Sequence, residues 1–246
     1  MSNITFENYG KQAQYGKDNT IIGGRYFFQK ESEKKIVKDL IKKLDLNPED
    51  KCLEIGCGTG NLLIPISFFV KSICGIDNKH CIDKLNLRFS GSDNIDLIKG
   101  NFFDIKLNDS YNKIIVYSVL HYLEDEGHVL KFIDKCLELI SPFGKILLGD
   151  LPNISLKKRF LNSDIGKNII KDFNEKLKNI KPSNSADNEL KHIIKKDDKL
   201  VIFNDNLILK ILSYIREKGF DAYLLPQPTD LAFGYTREDI LINRRY

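Results

Sequence analysis

The sequence is poor in the residues that build metal centres and disulfide frameworks. Its 246 residues hold four histidines and five cysteines, with no H-E-x-x-H and no C-x-x-C. The cysteines, at 52, 57, 74, 81 and 136, are odd in number and unpaired in spacing, so they provide neither a disulfide set nor a zinc cluster. Four lie in or near apolar runs, where a thiol behaves as a small hydrophobe. No structural metal is expected. Also missing is any apolar run long enough to span a membrane. The opening MSNITFENYG lacks the basic-then-apolar order of a secretion signal, so a cytoplasmic protein is the expectation.

Excess charge is scarce except in one place. The net charge is +4, yet residues 151–200 carry twelve Lys/Arg against seven Asp/Glu, an excess of +5 that leaves the remainder at −1. The basic character belongs to one segment, which limits what it can mean.

What is present is an alternation. Residues 1–30 are polar, with interleaved aromatics that usually pack on something. Ile36, Val37, Leu40, Ile41 and Leu44 then predict a helix from Glu31 to Leu46, ended by Asn47-Pro48. KCLEI (51–55), KSICGID (71–77), IDLIKG (95–100), KIIVYSVL (113–120) and KILLGD (145–150) read as strands with helical stretches between them. Such βαβ units predict a doubly wound, mostly parallel α/β sheet. Residues 153–200 break the rhythm as a basic helical insertion after strand five, with the turn-like KPSNSADN (181–188) inside it. A helix through Leu207 to Ile215 stops at Gly219. DAYLLP (221–226) and YTREDILINRR (235–245) then supply strands six and seven, and their short link predicts a hairpin with an antiparallel strand at the sheet edge. The chain is read as a single domain. Residues 1–30 form an N-terminal lid, 31–152 the core, 153–200 the basic lid insertion and 201–246 the closing helix and strands.

The stretch LEIGCGTGN (53–61) sets Gly56, Gly58 and Gly60 at every second position behind a strand, where a helix begins. Glycine is tolerated there for positive φ, or where something approaches the backbone too closely for a Cβ. Ligands of open parallel sheets bind beyond the carboxyl ends of the strands, and helix N-termini attract carboxylate or phosphate. A turn made for helix–strand packing is the other reading. Asp77 closes strand two, 21 residues after Gly56, where a carboxylate can accept both hydroxyls of a ribose. Gly100-Asn101-Phe102 follows strand three, in reach of an adenine edge. The third glycine of the nicotinamide fingerprint is missing, which counts against a dehydrogenase.

LEIGCGTG, GID, KGNFFD, YSVLHYL and SPFGKILLGD, in that order over about residues 48–152, resemble the class I (Rossmann-like) S-adenosylmethionine (SAM) methyltransferases. The resemblance implies SAM as cofactor and S-adenosylhomocysteine (SAH) as product. It implies that Glu54 and the turn of Gly56, Cys57, Gly58 and Gly60 hold the methionyl end, and that Asp77, with Asn78 beside it, takes the ribose. Asn101 and Phe102 would take the adenine, with Ser118 and Val119 along the methionyl side. The adenine position is often Asp in the family and is Asn101 here, whose amide oxygen can still accept. Pro-Phe-Gly replaces the usual Pro-Gly-Gly before strand five.

His121 follows strand four at the ligand edge and is either a general base with an inflection near pH 6–7 or a histidine packed at a helix start. Tyr122 reads as a wall residue. Asp150 is a substrate contact or a turn former. Arg25 and Tyr26 either close over SAM or pack on the surface. Lys157, Lys158 and Arg159 are a solvated helix face or a positive lid for an anionic acceptor. GKDNTIIGGRYFFQKES (16–32) and LPQPTDLAFGYTREDILINR (225–244) are similar to methyltransferases of bacterial surface-polysaccharide pathways, including capsule phosphoramidate modification. That resemblance implies a small-molecule or glycan-linked acceptor. An RNA methyltransferase is the alternative, opposed by YSVL where a base-amino enzyme carries N/D-P-P-Y. A non-catalytic SAM-binding protein is the third reading.

Overall fold

The computed structural model describes residues 3–89, 91–178 and 200–246. Two helices, α1 (Asn3–Tyr15) and α2 (Asn19–Ile22), precede α3 (Lys30–Leu44). Then come β1 (Lys51–Ile55), α4 (Leu63–Ser67), β2 (Ser72–Asp77), α5 (Lys79–Arg88), β3 (Ile95–Lys99) and β4 (Tyr111–Tyr117). They are followed by α6 (Glu126–Leu139), β5 (Ile140–Pro152), α7 (Ile154–Asn162) and α8 (Asp164–Lys178). The chain closes with α9 (Asp205–Glu217), β6 (Asp221–Pro226) and β7 (Arg237–Asn243).

The seven strands form one sheet in the order β3-β2-β1-β4-β5-β7-β6. β1 pairs in parallel with β2 and β4, β2 with β3, and β4 with β5. β7 runs antiparallel between β5 and β6. The expected hairpin therefore closes the sheet, with its antiparallel strand as the inner member and β6 outermost. Successive residues alternate between faces, because side chains along a strand point to opposite sides. Ile114 and Val116 of β4 join a core with α6 and α9, whereas Ile115 and Tyr117 join one with Ile36, Leu40 and Leu44 of α3 and with α4 and α5. Helices thus cover both faces, as an apolar parallel sheet requires.

Several boundaries differ from the expected ones for local reasons. β4 stops at Tyr117 because Ser118 has φ +61. β5 begins at Ile140, directly after α6, so Pro142-Phe143-Gly144 lies within a bulged strand in which Phe143 has φ +62. α4 is short and carries Pro65 inside its first turn, where a missing N–H costs nothing. α7 and α8 form the described part of the insertion, and KPSNSADN lies outside the described residues. Asn153 caps α7, its side-chain oxygen accepting from the backbone N–H groups of Ser155 and Leu156. No helix among the described residues is long and apolar enough to cross a membrane.

A buried carboxylate locks the hairpin to the rest. Asp239 of β7 is fully buried; its Oδ1 accepts from the backbone N–H of Asp150 (2.9 Å) and from Gln227 Nε2 (2.9 Å). Its Oδ2 pairs with Lys43 Nζ of α3 at 2.6 Å. Removing one member of such a group strands its partners in low dielectric. Asp239→Ala is expected to lower unfolding stability by about 3 kcal/mol, measured by urea denaturation.

Candidate functional site

A cavity opens at the carboxyl edge of β1, β2 and β4, and the glycine turn is its floor. The three glycines do three different things. At Gly56 (φ +79) an added Cβ would stand 2.3 Å from Val119 Cγ2, and at Gly60 (φ +86) it would stand 3.0 Å from Leu85. Those two serve packing. At Gly58 (φ +54) a Cβ would meet nothing within 4 Å, because this backbone faces the cavity.

Asp77 fastens the turn. Its two carboxylate oxygens accept from the backbone N–H groups of Gly58 and Asn78, each at 2.6 Å, and lone pairs remain on both oxygens for a ligand. Burial raises its pKa, and the two backbone donors only partly offset this. Glu54 lies deeper. It is buried, lines the cavity, and its Oε2 has no hydrogen-bond partner among the described residues. Burial, and next Asp77, push its carboxyl up to about 8. A buried polar atom left unpaired costs stability, so this one marks a place where a ligand donor belongs.

Asn101 and Phe102 form the far wall. Asn101 Oδ1 accepts from the Phe103 N–H (3.2 Å), and Lys135 Nζ ties down the carbonyls of Phe102, Phe103 (3.3 Å) and Ile105 (2.6 Å). The roof comes from before the core: Phe6 and Tyr9 of α1, then Ile22, Gly23 and Arg25. Asn78 caps α5 and also donates to the Phe6 carbonyl (3.3 Å), which docks α1.

On the remaining side Arg25 Nη2 donates to Ser118 Oγ (2.9 Å) and pairs with Asp150 Oδ2 (2.7 Å), while the Ser118 hydroxyl also donates to that carboxylate. Asp150 is buried; burial would raise its pKa, but Arg25 and then Arg237 outweigh it and hold the group below the usual carboxylate range. Tyr122 meets Tyr9 edge-on, ring centroids 4.6 Å apart.

Of the residues singled out from sequence, Arg25, Glu54, Gly56, Cys57, Gly58, Asp77, Asn101, Phe102, Ser118, Val119 and Tyr122 line this cavity. The others stand elsewhere. Gly60 packs beneath the turn, and Asn78 is the cap just described. Tyr26 stacks on Phe28 (5.4 Å) and meets Phe173 of α8, so it joins the N-terminal segment to the insertion. Asp150 stands behind Arg25. Lys157, Lys158 and Arg159 are exposed on α7, Arg159 paired with Asp205.

His121 requires a correction. The 3₁₀ turn Leu120–Tyr122 sends Tyr122 into the cavity and leaves His121 outside its lining. Burial, then the charge of Arg237, lowers its pKa to about 3, far from the expected 6–7. So weak a base holds no proton at neutral pH and attracts one poorly. Phe6, Tyr9, Glu33 and Asn61 were not anticipated; Asn61 Nδ2 donates to Glu33 Oε1 at 2.8 Å. The i, i+3 spacing of Phe6 and Tyr9 was the available signal.

Residues 28–184 match a methyltransferase domain family, and the chain belongs to that family. A 79-residue stretch is 34% identical to the "Probable cobalt-precorrin-6B C(15)-methyltransferase (decarboxylating)" of Methanococcus maripaludis, covering 31% of this chain and 44% of that one. The chain thus spans less than half the length of that curated relative. Among solved structures, the fold is similar to N-methyltransferase NodS of Bradyrhizobium japonicum, solved with SAH (TM-score 0.63, 12% identity, 99% of this chain and 100% of that one). It is also similar to phosphoethanolamine N-methyltransferase 1 of Haemonchus contortus, solved with phosphoethanolamine and SAH (TM-score 0.68, 14% identity, 97% and 48%). At such identities the likeness is one of fold.

The glycines can be told apart by stability. Gly56→Ala is expected to destabilise more than Gly58→Ala, which bears only the left-handed penalty of about 1–2 kcal/mol. Thermal denaturation of the two variants side by side checks the order.

Proposed function

We propose that this protein is a SAM-dependent methyltransferase acting on an oxygen or nitrogen of a small-molecule or glycan-linked acceptor that carries negative charge. The observation that carries the reading is Glu54 Oε2, buried and unpaired in the same cavity as the open backbone of Gly58 and the carboxylate of Asp77. The residues fit the cofactor. Glu54 would meet the methionyl ammonium, Gly58 would admit the ligand against the main chain, and Asp77 would accept the ribose hydroxyls. Asn101 and Phe102 would flank the adenine, and Ser118 and Val119 the methionyl side.

Bound there, SAM would supply a methyl already activated on a sulfonium, which an acceptor's lone pair can take without further activation of the donor. The chain's own task is to align that acceptor and exclude water. Orientation of this kind is worth about 7–11 kcal/mol. Tyr9, Tyr122 and Arg25 wall the acceptor side beneath the α1 roof. His121, outside the cavity and neutral, does not take the acceptor proton. An acceptor that arrives as an anion needs no such base. The finer reading, a phosphoramidate group of a capsular polysaccharide, rests on the resemblance of residues 16–32 and 225–244.

The deciding assay is conversion of SAM to SAH with a panel of neutral and phosphorylated acceptors; no turnover with any, together with no SAH binding, would sink the reading. Glu54 gives a second test. In the free protein it is protonated below about 8, and an ammonium favours the carboxylate. SAH affinity is therefore expected to rise from pH 6 toward 8, with proton release on binding by calorimetry, and to fall again once the ligand's own ammonium loses its proton. Glu54→Gln should lose the rise and the proton release. His121→Ala is expected to lower kcat by less than tenfold, against the roughly 10²–10⁴ of a true general base, with no inflection at pH 6–7 in either protein.

A further inference from the structure

Two guanidiniums converge beside the acceptor wall, and one carboxylate serves both. Arg25 pairs through Nη2 with Asp150 Oδ2 at 2.7 Å, and Arg237 Nε stands 3.8 Å from Asp150 Oδ1. Arg237 makes one further contact to the same residue, Nη1 donating to its carbonyl at 3.2 Å. Both guanidinium carbons lie 5.1 Å from the centroid of the Phe233 ring, which fixes the two planes around a common apolar surface. The group of Arg25, Arg237 and Asp150 keeps one positive charge in excess, in a setting where buried charge is normally matched. His121, in the field of both cations, is neutral and does not compensate either.

A second observation points to a ligand. Arg25 is only 6% exposed, it lines the cavity, and its Nε–H is sealed from water without an acceptor among the described residues. Guanidinium forks match the paired oxygens of tetrahedral oxyanions. Arg237 retains 17% side-chain exposure, so this edge is open to a molecule arriving from solvent.

We propose that Arg25 and Arg237, set around Phe233 and sharing Asp150, form the subsite for the anionic group of the methyl acceptor, a phosphate-type oxyanion. This rests on the methyltransferase reading above and names the substrate class for the same site. The selective charge belongs to this pair, and the exposed Lys157, Lys158 and Arg159 of α7 serve at most as an outer field. Arg237 is a specificity-determining residue. Arg25 lines the cavity and Arg237 stands just outside its lining, so an oxyanion bridging the two would reach toward the cofactor from the solvent edge.

The test is calorimetric titration of methyl phosphate into protein saturated with SAH, for wild type, Arg237→Gln and Arg237→Lys. Wild type should bind methyl phosphate, more weakly as salt rises. Arg237→Gln should bind it about tenfold more weakly or worse, the loss of one charge-assisted pair, with Arg237→Lys between the two. SAH affinity should be unchanged in both variants. Should Arg237→Gln not fold, the lysine variant still decides, because it keeps the charge and loses the fork. Equal methyl phosphate affinity in wild type and variants, or none in SAH-loaded wild type, overturns the subsite alone. A fall in SAH affinity on losing Arg237 shows that the guanidinium serves the cofactor's own carboxylate and overturns it too. Failure of wild type to bind SAH overturns the underlying methyltransferase reading.

Discussion

The carboxylate of Asp150 is sealed inside the protein at the end of β5, and a charge in that position has to be met by others. The partners come from distant parts of the chain: Arg25 from the segment before α3, Ser118 from the end of β4, Arg237 from the start of β7. Its backbone N–H reaches Asp239, which holds Gln227 and Lys43. Asp150 and Ser118 both have left-handed backbones, φ +60 and +61, a strain of about 1–2 kcal/mol each. The polar network offsets that strain. One continuous chain of ion pairs and hydrogen bonds thus fixes the N-terminal segment, two strand ends and the terminal hairpin against each other.

The cavity beside this network has two electrical halves. Asp77 and the buried carboxyl of Glu54 lie on its β1–β2 side, and Arg25 lies on the opposite side, with Arg237 just outside the lining. On the proposed reading, a cationic donor would settle on the first half and an anionic acceptor on the second. Opposite charges would then bring the reacting atoms together, with the polarity of the cavity setting their orientation.

Much of this was legible in the sequence because it is local. Short apolar runs ending in LEIGCG and ICGID fixed β1, β2 and the turn between strand and helix, so Glu54, Gly58 and Asp77 fall where the spacing puts them. The helix α1 was not legible. Gly10 in its middle weakens the helical signal, and the reason for that glycine is tertiary: a Cβ there would stand 2.4 Å from Asn78 Oδ1. The direction of His121 was hidden for a similar cause. Its position after β4 was clear, but the positive φ of Ser118 and the following 3₁₀ turn decide which of two adjacent rings enters the cavity. The importance of Arg237 depends on the hairpin order, with β7 inside β6, which only pairing across the sheet defines.

The roof of the cavity is attached differently from the rest. Its buried apolar cluster is small, Ala13, Ile22 and Cys81, and polar links do most of the fastening: Asn78 to the Phe6 carbonyl, Lys84 to the carbonyls of Ala13 (3.1 Å) and Gly16. The main core adds to its polar links a far larger set of buried apolar side chains. Elements held like the roof separate from a protein well below its global unfolding energy. On the proposed reading, release of the spent cofactor would then depend on how often α1 lifts, so a helix outside the sheet would pace turnover.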